Sequence, residues 1–288
     1  TRLQGDWSSD VCSSDLDTIV KELLSFLQKK FNSQIDILTL GKWAGGRMGL
    51  TSDLDFVMIQ QEDSDTPPTK LARRFIHFLQ SPTSGSTLYS IDLRLRPSGN
   101  AGPLLSTLLE VQDYLNTKAQ AWERQAYLMN RLLSSNSPLP LFHPRALSNE
   151  DKSLLSSICS KLLHNDSSEI VLKKSKGALL HTELLLQASC LHHELFPQTP
   201  NVIGLCNTLQ QHYSQEICSD ILNNYNKLRM WQQLLILVGV STETPLSKDN
   251  KNLSKACSLM GTTPKVLIDE LENTLQHQQN LLDAINVL

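Results

Sequence analysis

Apolar residues in the first third of the chain recur at two spacings, one typical of helices and one typical of strands. In residues 17–31 they lie three or four positions apart, which predicts an amphipathic helix that Asp17 or Thr18 caps. Elsewhere they alternate with polar residues, which predicts strands. The predicted strands are residues 34–41, 52–60 and 89–97, with a short helix at 70–80.

Beyond Pro97 the alternation stops and helical spacing dominates. Residues 104–133 are predicted to be helix, and the stretch SSNSPLPLFHP is predicted to be a linker because it holds three prolines among polar residues. From Leu147 onward the pattern is helical, with breaks at FPQTPN, STETPLSKDN and GTTP. The expected fold class is α+β followed by an all-α helical bundle. The predicted domains are residues 17–134 and 147–288, joined by a linker at 135–146.

Composition narrows the function classes. The 288 residues are 40% hydrophobic and 19% charged, with a formal net charge of -3. A general nucleic-acid binder would carry a basic excess, so no nucleic-acid partner is expected. No apolar run approaches the ~18 residues of a membrane span, and the six cysteines form no C-x-x-C pair. We expect a cytoplasmic protein with reduced thiols and no membrane partner.

The first residues are set apart by their origin. The stretch DWSSDVCSSDL, residues 6–16, is the translation of a common sequencing-library adapter. We therefore predict that residues 1–16 are a cloning or assembly artefact, exclude them from the prediction of the fold, and expect an upstream region to be missing.

Candidate chemistry lies in the stretch GRMGLTSDLDF, residues 46–56. Strand alternation predicts that Asp53 and Asp55 share one face, and that Asp92, Arg94 and Arg96 share a face of the third strand. If the strands are neighbours, three carboxylates and two guanidinium groups converge on one surface of the sheet.

Such a surface suits metal-dependent chemistry on phosphates. Three carboxylates can hold Mg²⁺, a hard ion that prefers oxygen ligands, and guanidinium groups bind phosphate oxygens in bidentate fashion. A glycine-rich loop containing Gly45 and Gly46 can bring backbone N–H groups close to a triphosphate. Ser52 adds a hydroxyl group.

Simpler interpretations stand beside these. A lone D-x-D pair is usually a solvated face, and D-x-R-x-R also fits an ion-pair ladder that contributes little stability. A metal site among His181, His192, His193, Glu183 and Glu194 is not favoured, because the helical spacing there makes core or surface histidines more common. Trp122 and Trp231 are predicted to be core residues.

Two long stretches carry a resemblance. GKWAGGRMGLTSDLDFVMI, and then IDLRLRPSGNAGPLLSTLLEVQDYLNTKAQAWERQAYLMNR, closely resemble the nucleotidyltransferase domain of glutamine synthetase adenylyltransferases, the bifunctional adenylyltransferase/adenylyl-removing enzymes. LKKSKGALLHTELLLQ and NNYNKLRMWQQLLIL are similar to later parts of the same family. The resemblance covers residue 17 to the end of the chain. It implies a DNA-polymerase-β-like fold for the first domain.

The resemblance also implies residue roles. Asp53, Asp55 and Asp92 match the family's catalytic, metal-binding carboxylates. The residues matching its nucleotide-binding segments are Gly45, Gly46, Ser52, Arg94 and Arg96, with phosphate contact by the two arginines inferred from their chemistry. The stretch RPSGNAG and the adjoining helical bundle are more similar to the carboxy-terminal, adenylylating domain of these proteins than to the amino-terminal, adenylyl-removing one.

Three departures from the family pattern stand out. Arg47 replaces a glutamate in the glycine-rich loop, and Met129 replaces a basic residue in a segment whose Arg131 remains. In the bundle motif His181 and Thr182 stand where the family has Asp-Ile. These changes fall outside the three-aspartate set.

The implied function is Mg²⁺-dependent transfer of AMP from ATP to a tyrosine of glutamine synthetase. Glutamine synthetase is thus the expected partner, with a nitrogen-sensing signal protein of the PII type as a further one. Two alternatives remain open at this point. One is phosphorolytic removal of AMP from adenylylated glutamine synthetase, and the other is a catalytically silent interaction module.

Overall fold

The structure is a computed structural model, and it divides into two compact units. It describes residues 10–49, 52–61, 68–81, 89–164, 166, 168–247 and 249–288, without the side chains of residues 10–12. The first unit runs as far as His143 and includes Pro197–Asn201, and the second comprises Pro144–Phe196 and Val202–Leu288. The division at His143 falls inside the predicted linker. The predicted domain ranges themselves stay predictions, and residues 1–9 of the predicted artefact lie outside the described residues.

The first unit combines a small sheet with helices. Its elements are α1 (Asp10–Phe31), β1 (Ile35–Leu40), α2 (Gly41–Ala44), β2 (Leu54–Gln60), α3 (Thr69–Gln80), β3 (Ile91–Asp92), β4 (Leu105–Ser106), α4 (Leu108–Thr117), α5 (Ala121–Tyr127) and β5 (Asn130–Leu132). The predicted strands at β1 and β2 and the predicted helix at α3 are confirmed. An α+β fold class is confirmed at this level.

The sheet is mixed, with strand order β3-β2-β1-β5. β1 pairs antiparallel with β2 on one side and with β5 on the other. β3 and β4 both pair parallel with β2, β3 opposite its first residues and β4 opposite Met58 and Ile59. The start of β2 therefore lies beside β3, which brings together the two aspartate-bearing segments of the sequence.

A hydrophobic core holds the helices of the first unit against its sheet. Phe56 of β2 packs edge-on against Trp43 of α2, with ring centroids 5.8 Å apart, and against Phe75 of α3 at 6.0 Å. Val20 and Leu27 of α1 are fully buried in the same cluster. Burying each large apolar side chain contributes about 1.5–3 kcal/mol, so these contacts hold α2, and the loop after it, against β2.

The second unit is helical and consists of α6 (Asn149–Leu162), α7 (Leu179–His192), α8 (Val202–Leu209), α9 (Gln215–Leu237), α10 (Lys251–Leu259) and α11 (Pro264–Ile285). The three predicted helix breaks are confirmed, with Lys248 outside the described residues. Two further breaks were not predicted: α6 ends at Leu162 and α7 begins only at Leu179, and α8 ends at Leu209 while α9 begins at Gln215.

Four features of the first unit correct the sequence predictions. α1 begins at Asp10, because Leu16 is buried and extends the apolar face; Asp17 and Thr18 therefore lie inside the helix, and neither caps it. β3 ends at Asp92 instead of reaching Pro97. Residues 104–133 are not one helix but β4, α4, α5 and β5, since distant pairing with β2 and β1 overrides the local helical pattern.

The two tryptophan predictions have different outcomes. Trp231 is buried on α9, as expected. Trp122 is 36% exposed, because the start of α5 turns it outward, and its indole Nε1–H donates to Gln120 Oε1 at 2.8 Å. In the part of the chain that the structure describes, no helix has the length and apolar character needed to cross a membrane.

Candidate nucleotidyltransferase site

Three aspartates meet where β2 and β3 begin. The parallel register places Asp55 directly opposite Asp92, and the Leu54 N–H donates to the Ser90 carbonyl at 2.8 Å. Asp53 immediately precedes β2, and its carboxylate accepts a hydrogen bond from the Ser90 hydroxyl. The local pairing of two short segments thus gathers the D-x-D pair and the third aspartate at one edge of the sheet.

Asp55 is the most constrained of the three. Gly41 approaches it so closely that an added Cβ would lie 3.3 Å from Asp55 Oδ2, and Gly41 has a φ of +54° that favours glycine. Burial, followed by the negative charges of Asp92 and Asp53, raises the pKa of Asp55 to about 6, against the opposing charges of Lys42 and Arg94. This edge therefore holds more negative charge than its surroundings neutralise.

Asp92 is paired with Arg94 through both carboxylate oxygens. Arg94 Nε lies 2.9 Å from Oδ2 and 3.0 Å from Oδ1, and Nη2 lies 2.5 Å from Oδ2. The Arg94 backbone N–H also donates to Oδ1 at 2.9 Å. These hydrogen bonds from Arg94 hold the pKa of Asp92 below its usual range, so the carboxylate is ionised at neutral pH.

Arg94 and Arg96 do not share a strand face with Asp92, which corrects the sequence prediction. Because β3 ends at Asp92, the next residues form turns in which Arg94 folds back onto Asp92. Arg96 Nη1 instead donates to the Leu93 carbonyl at 2.9 Å. The two guanidinium groups therefore have different partners, and only Arg94 contacts an aspartate of the site.

The glycine-rich loop uses much of its own hydrogen-bonding capacity. The Gly45 N–H donates to the Gly41 carbonyl at 3.1 Å, and the Gly46 N–H donates to the Trp43 carbonyl at 3.2 Å. The buried Ser52 hydroxyl accepts the Gly49 N–H at 3.0 Å. Binding a phosphate through these groups would require the loop to rearrange. Leu50 and Thr51 lie outside the described residues.

Gly45 has a packing role of its own. A Cβ at this position would lie 2.7 Å from the carbonyl oxygen of Pro200, which belongs to the same unit. Only glycine allows that approach without a backbone shift.

A buried ion pair that the sequence prediction missed holds α2 in place. Arg131 of β5 binds both carboxylate oxygens of Asp17, at 2.7 and 3.0 Å, and Trp43 Nε1–H donates to the same carboxylate at 2.8 Å. Arg131 Nε also donates to the Ala44 carbonyl at 3.2 Å. The network links α1, α2 and β5, and so fixes the residues beside Asp55. The sequence signals were a charged residue in the middle of a helix and an arginine among apolar neighbours.

The donor atoms of the site suit the divalent cation that the sequence implies. The donors are carboxylate oxygens, which hard cations prefer, and the unneutralised charge around Asp55 would be relieved by one. As the described side chains stand, however, no three His, Cys, Asp or Glu residues are arranged to hold a metal ion. The carboxylate oxygens are suitable ligands for a divalent cation. In the present arrangement, however, the Asp92 carboxylate accepts hydrogen bonds from Arg94.

A small mixed sheet with aspartates at one edge, followed by helices, is compatible with a nucleotidyltransferase domain and a helical region. Residues 10–140 match the sequence model of the family described as Glutamate-ammonia ligase adenylyltransferase. This part of the chain is thus similar to a family of nucleotidyltransferase enzymes, and the resemblance identified in the sequence is confirmed.

Two relatives extend the similarity beyond the first unit. The chain is 30% identical over 260 residues to the bifunctional glutamine synthetase adenylyltransferase/adenylyl-removing enzyme of Nitrosomonas eutropha, covering 81% of this chain and 28% of that protein. It is 28% identical over 198 residues to the protein of the same name from Xanthomonas campestris pv. campestris, covering 60% and 21%. The chain thus spans about a quarter of the length of these relatives. Every predicted site residue lies within residues 10–140, while the roles of those residues stay predictions.

Proposed function

We propose that this chain catalyses Mg²⁺-dependent transfer of AMP from ATP to a tyrosine of glutamine synthetase. The observation that carries the proposal is the register of β2 and β3, which sets Asp55 opposite Asp92 beside Asp53. The names of the relatives supply the reaction and the protein substrate. The proposed fold of the first unit is that of a DNA-polymerase-β-like nucleotidyltransferase.

Each aspartate has a proposed task. Asp53 and Asp55 would hold divalent cations, which, when bound, neutralise phosphate charge during in-line displacement. Asp92, an ionised carboxylate, would bind the cation nearer the tyrosine hydroxyl and would accept the proton of that hydroxyl. The hydroxyl oxygen would then form a bond to the α-phosphorus of ATP while the bond to pyrophosphate breaks. Positioning and neutralisation of charge are the main protein contributions in such transfers.

The remaining predicted residues would bind nucleotide. Arg94 is 76% exposed at the side chain and can reach outward to a triphosphate, where a guanidinium group binds phosphate oxygens in bidentate fashion. Arg96, Gly45, Gly46 and Ser52 would contribute after rearrangement of the hydrogen bonds they now make. A signal protein of the PII type would be a regulatory partner.

A second activity has one observation in its favour. Both relatives are named adenylyl-removing enzymes as well as adenylyltransferases, so the same three aspartates could support phosphorolytic removal of AMP. The similarity of RPSGNAG to the adenylylating domain favours transfer. Dependence on inorganic phosphate separates the two reactions, because only removal consumes it.

The test follows label from ATP to glutamine synthetase. Purified chain, Mg²⁺ and glutamine synthetase are incubated with ATP labelled at the α-phosphate or, separately, at the γ-phosphate. We expect label on the synthetase from the α position only. Asp53→Asn and Asp55→Asn are expected to abolish it, whereas Asp113→Asn, which removes an exposed carboxylate of α4, is the matched control and is expected to retain it.

Three results would contradict the proposal. Label from the γ position would indicate phosphoryl transfer instead. Transfer that survives both aspartate substitutions would place the chemistry elsewhere. An absence of both transfer and Mg²⁺-dependent ATP binding would favour the interaction module.

A further inference from the structure

The strongest unexplained feature of the site is the pairing of Asp92 with Arg94. The guanidinium and the backbone N–H of Arg94 together make four hydrogen bonds to the two oxygens of one carboxylate. A metal ion bound at Asp92 would need the same oxygen atoms. Arg94 and a metal ion therefore compete for one ligand.

The pair is built so that it can open. The Arg94 side chain is 76% exposed, whereas that of Asp92 is 21% exposed. An exposed ion pair contributes little to stability, because water solvates the separated charges well. Asp92 is held in place by β3, so the mobile partner is the arginine.

The carboxylates around the pair favour replacement of Arg94 by a divalent cation. Asp55 lies opposite Asp92 in the register and experiences the negative charges of both Asp92 and Asp53. When Arg94 withdraws from Asp92, the three carboxylates lose their nearest guanidinium and a divalent cation becomes the better counter-ion. The released guanidinium then needs an anion of its own, and a triphosphate supplies one.

We propose that Arg94 is a displaceable internal cation: it holds Asp92 while no nucleotide is bound, and it exchanges Asp92 for the phosphates of ATP as the metal arrives. The inference rests on the proposed function. Arg94 then has two successive partners, first Asp92 and then the triphosphate. All three aspartates are therefore available to the metal only when metal and triphosphate are present together.

The test measures metal binding without nucleotide. Mn²⁺ affinity is determined from the electron paramagnetic resonance signal of the free ion, for the unmodified chain and for Arg94→Gln. Loss of the competing cation should tighten Mn²⁺ binding roughly threefold to fivefold. Arg73→Gln removes an equal charge from the exposed side of α3 and should change nothing. Binding of Mg²⁺ with ATP, measured by calorimetry, should weaken about tenfold in Arg94→Gln alone.

Further variants tie the effect to Asp92. Adding Asp92→Asn to Arg94→Gln should remove the gain in Mn²⁺ affinity, since the freed ligand is then gone. Arg94→Lys keeps the charge but loses the fork of donors, so its Mn²⁺ affinity should fall between those of the unmodified chain and Arg94→Gln. Thermal unfolding midpoints close to that of the unmodified chain would verify that the variants are folded.

The outcomes separate this inference from the proposed function. If Asp55→Asn abolishes Mn²⁺ binding but Arg94→Gln binds Mn²⁺ no more tightly than the unmodified chain, the inference is overturned and the proposed function stands. A gain in affinity that persists without the Asp92 carboxylate also overturns it. If neither the unmodified chain nor Arg94→Gln binds Mn²⁺, or if binding does not depend on Asp55, both fail.

Discussion

Two regions, one in each unit, enclose polar side chains in opposite ways. In the first region, burial and the charges of two neighbouring carboxylates raise the pKa of Asp55. In the second region, polar groups meet partners of matching chemistry: the Tyr225 hydroxyl donates to Glu183 at 2.5 Å, and the Ser189 hydroxyl donates to the Ile285 carbonyl at 2.9 Å.

The difference distinguishes a region suited to binding a ligand from a region that stabilises the fold. Repulsion among neighbouring carboxylates lowers the stability of the fold, and proteins retain it where a bound ligand offsets the charge. A fully hydrogen-bonded polar network instead favours one arrangement of the helices. The comparison predicts that substitutions in the first region will cost activity without costing stability. Substitutions in the second region will do the reverse.

Asp55→Asn should have the largest effect. Transfer of AMP should fall by at least about a hundredfold, because a metal ligand is lost, while the thermal unfolding midpoint rises by about 2–4 °C as the repulsion with Asp92 and Asp53 disappears. Label transfer and calorimetric unfolding measure the two quantities. A lower midpoint would show that Asp55 stabilises the fold, and would contradict the contrast drawn between the two regions.

Gly177→Ala should give the largest loss of stability. Gly177 has a φ of +77°, and an added Cβ would lie 2.2 Å from the Leu275 carbonyl oxygen of α11. We expect the free energy of unfolding of the second unit to fall by about 3 kcal/mol, measured by urea denaturation.

Gly261→Ala is the matched control for that variant. Gly261 has a φ of +67° but nothing within 4 Å of an added Cβ, so the substitution should cost only about 1 kcal/mol. Equal losses for the two variants would mean that backbone strain alone, and not the contact with Leu275, decides the outcome.

Tyr225→Phe should cost about 2 kcal/mol, because it removes a buried hydrogen bond to the Glu183 carboxylate. Tyr114→Phe removes a bond of similar length to Glu123 in the first unit, 2.6 Å, from a more exposed hydroxyl. Its cost should be about half as large. Urea denaturation of both variants gives the ranking, and a larger loss at Tyr114 would contradict it.

The smallest expected effect is a pH dependence at His181. Burial lowers the pKa of His181 below 6.5, and its Nδ1 accepts the Gly177 N–H at 3.0 Å. The folded state thus binds a proton less readily than the unfolded chain, so this contribution to stability is present above pH 6.5 and is lost as the pH falls. In unfolding experiments from pH 7 to pH 5, His181→Gln should lose less stability than the unmodified chain. Parallel losses would contradict the prediction.

The sequence was sufficient for the parts of the site that depend on local alternation. β1 and β2 were predicted from their periodicity, whereas the sequence left open whether the D-x-D segment and Asp92 lie on neighbouring strands, which the register of β2 and β3 shows. The predicted path of Arg94 and Arg96 was wrong because alternation indicates where side chains would point in a strand. It does not show where pairing stops, and β3 pairs over two residues only.

Several other missed features join distant parts of the chain. Arg131 and Asp17 are 114 residues apart, and neither pattern alone distinguishes a buried ion pair from a surface one. β4 and β5 contain two and three residues, too few to interrupt a helical pattern, and they exist because β2 and β1 offer unpaired edges. The role of Gly41 at the start of α2 likewise depends on Asp55, which lies on β2.

The place of β5 in the sheet has a consequence for synthesis and folding. β1 forms early in the chain, but its second edge is covered only by Asn130–Leu132, which follow about 90 residues later. A nascent or shortened chain that ends before residue 130 leaves that edge open to pairing with other chains. Such a chain would be prone to aggregate, and the complete sheet would form slowly because it depends on contacts distant in sequence.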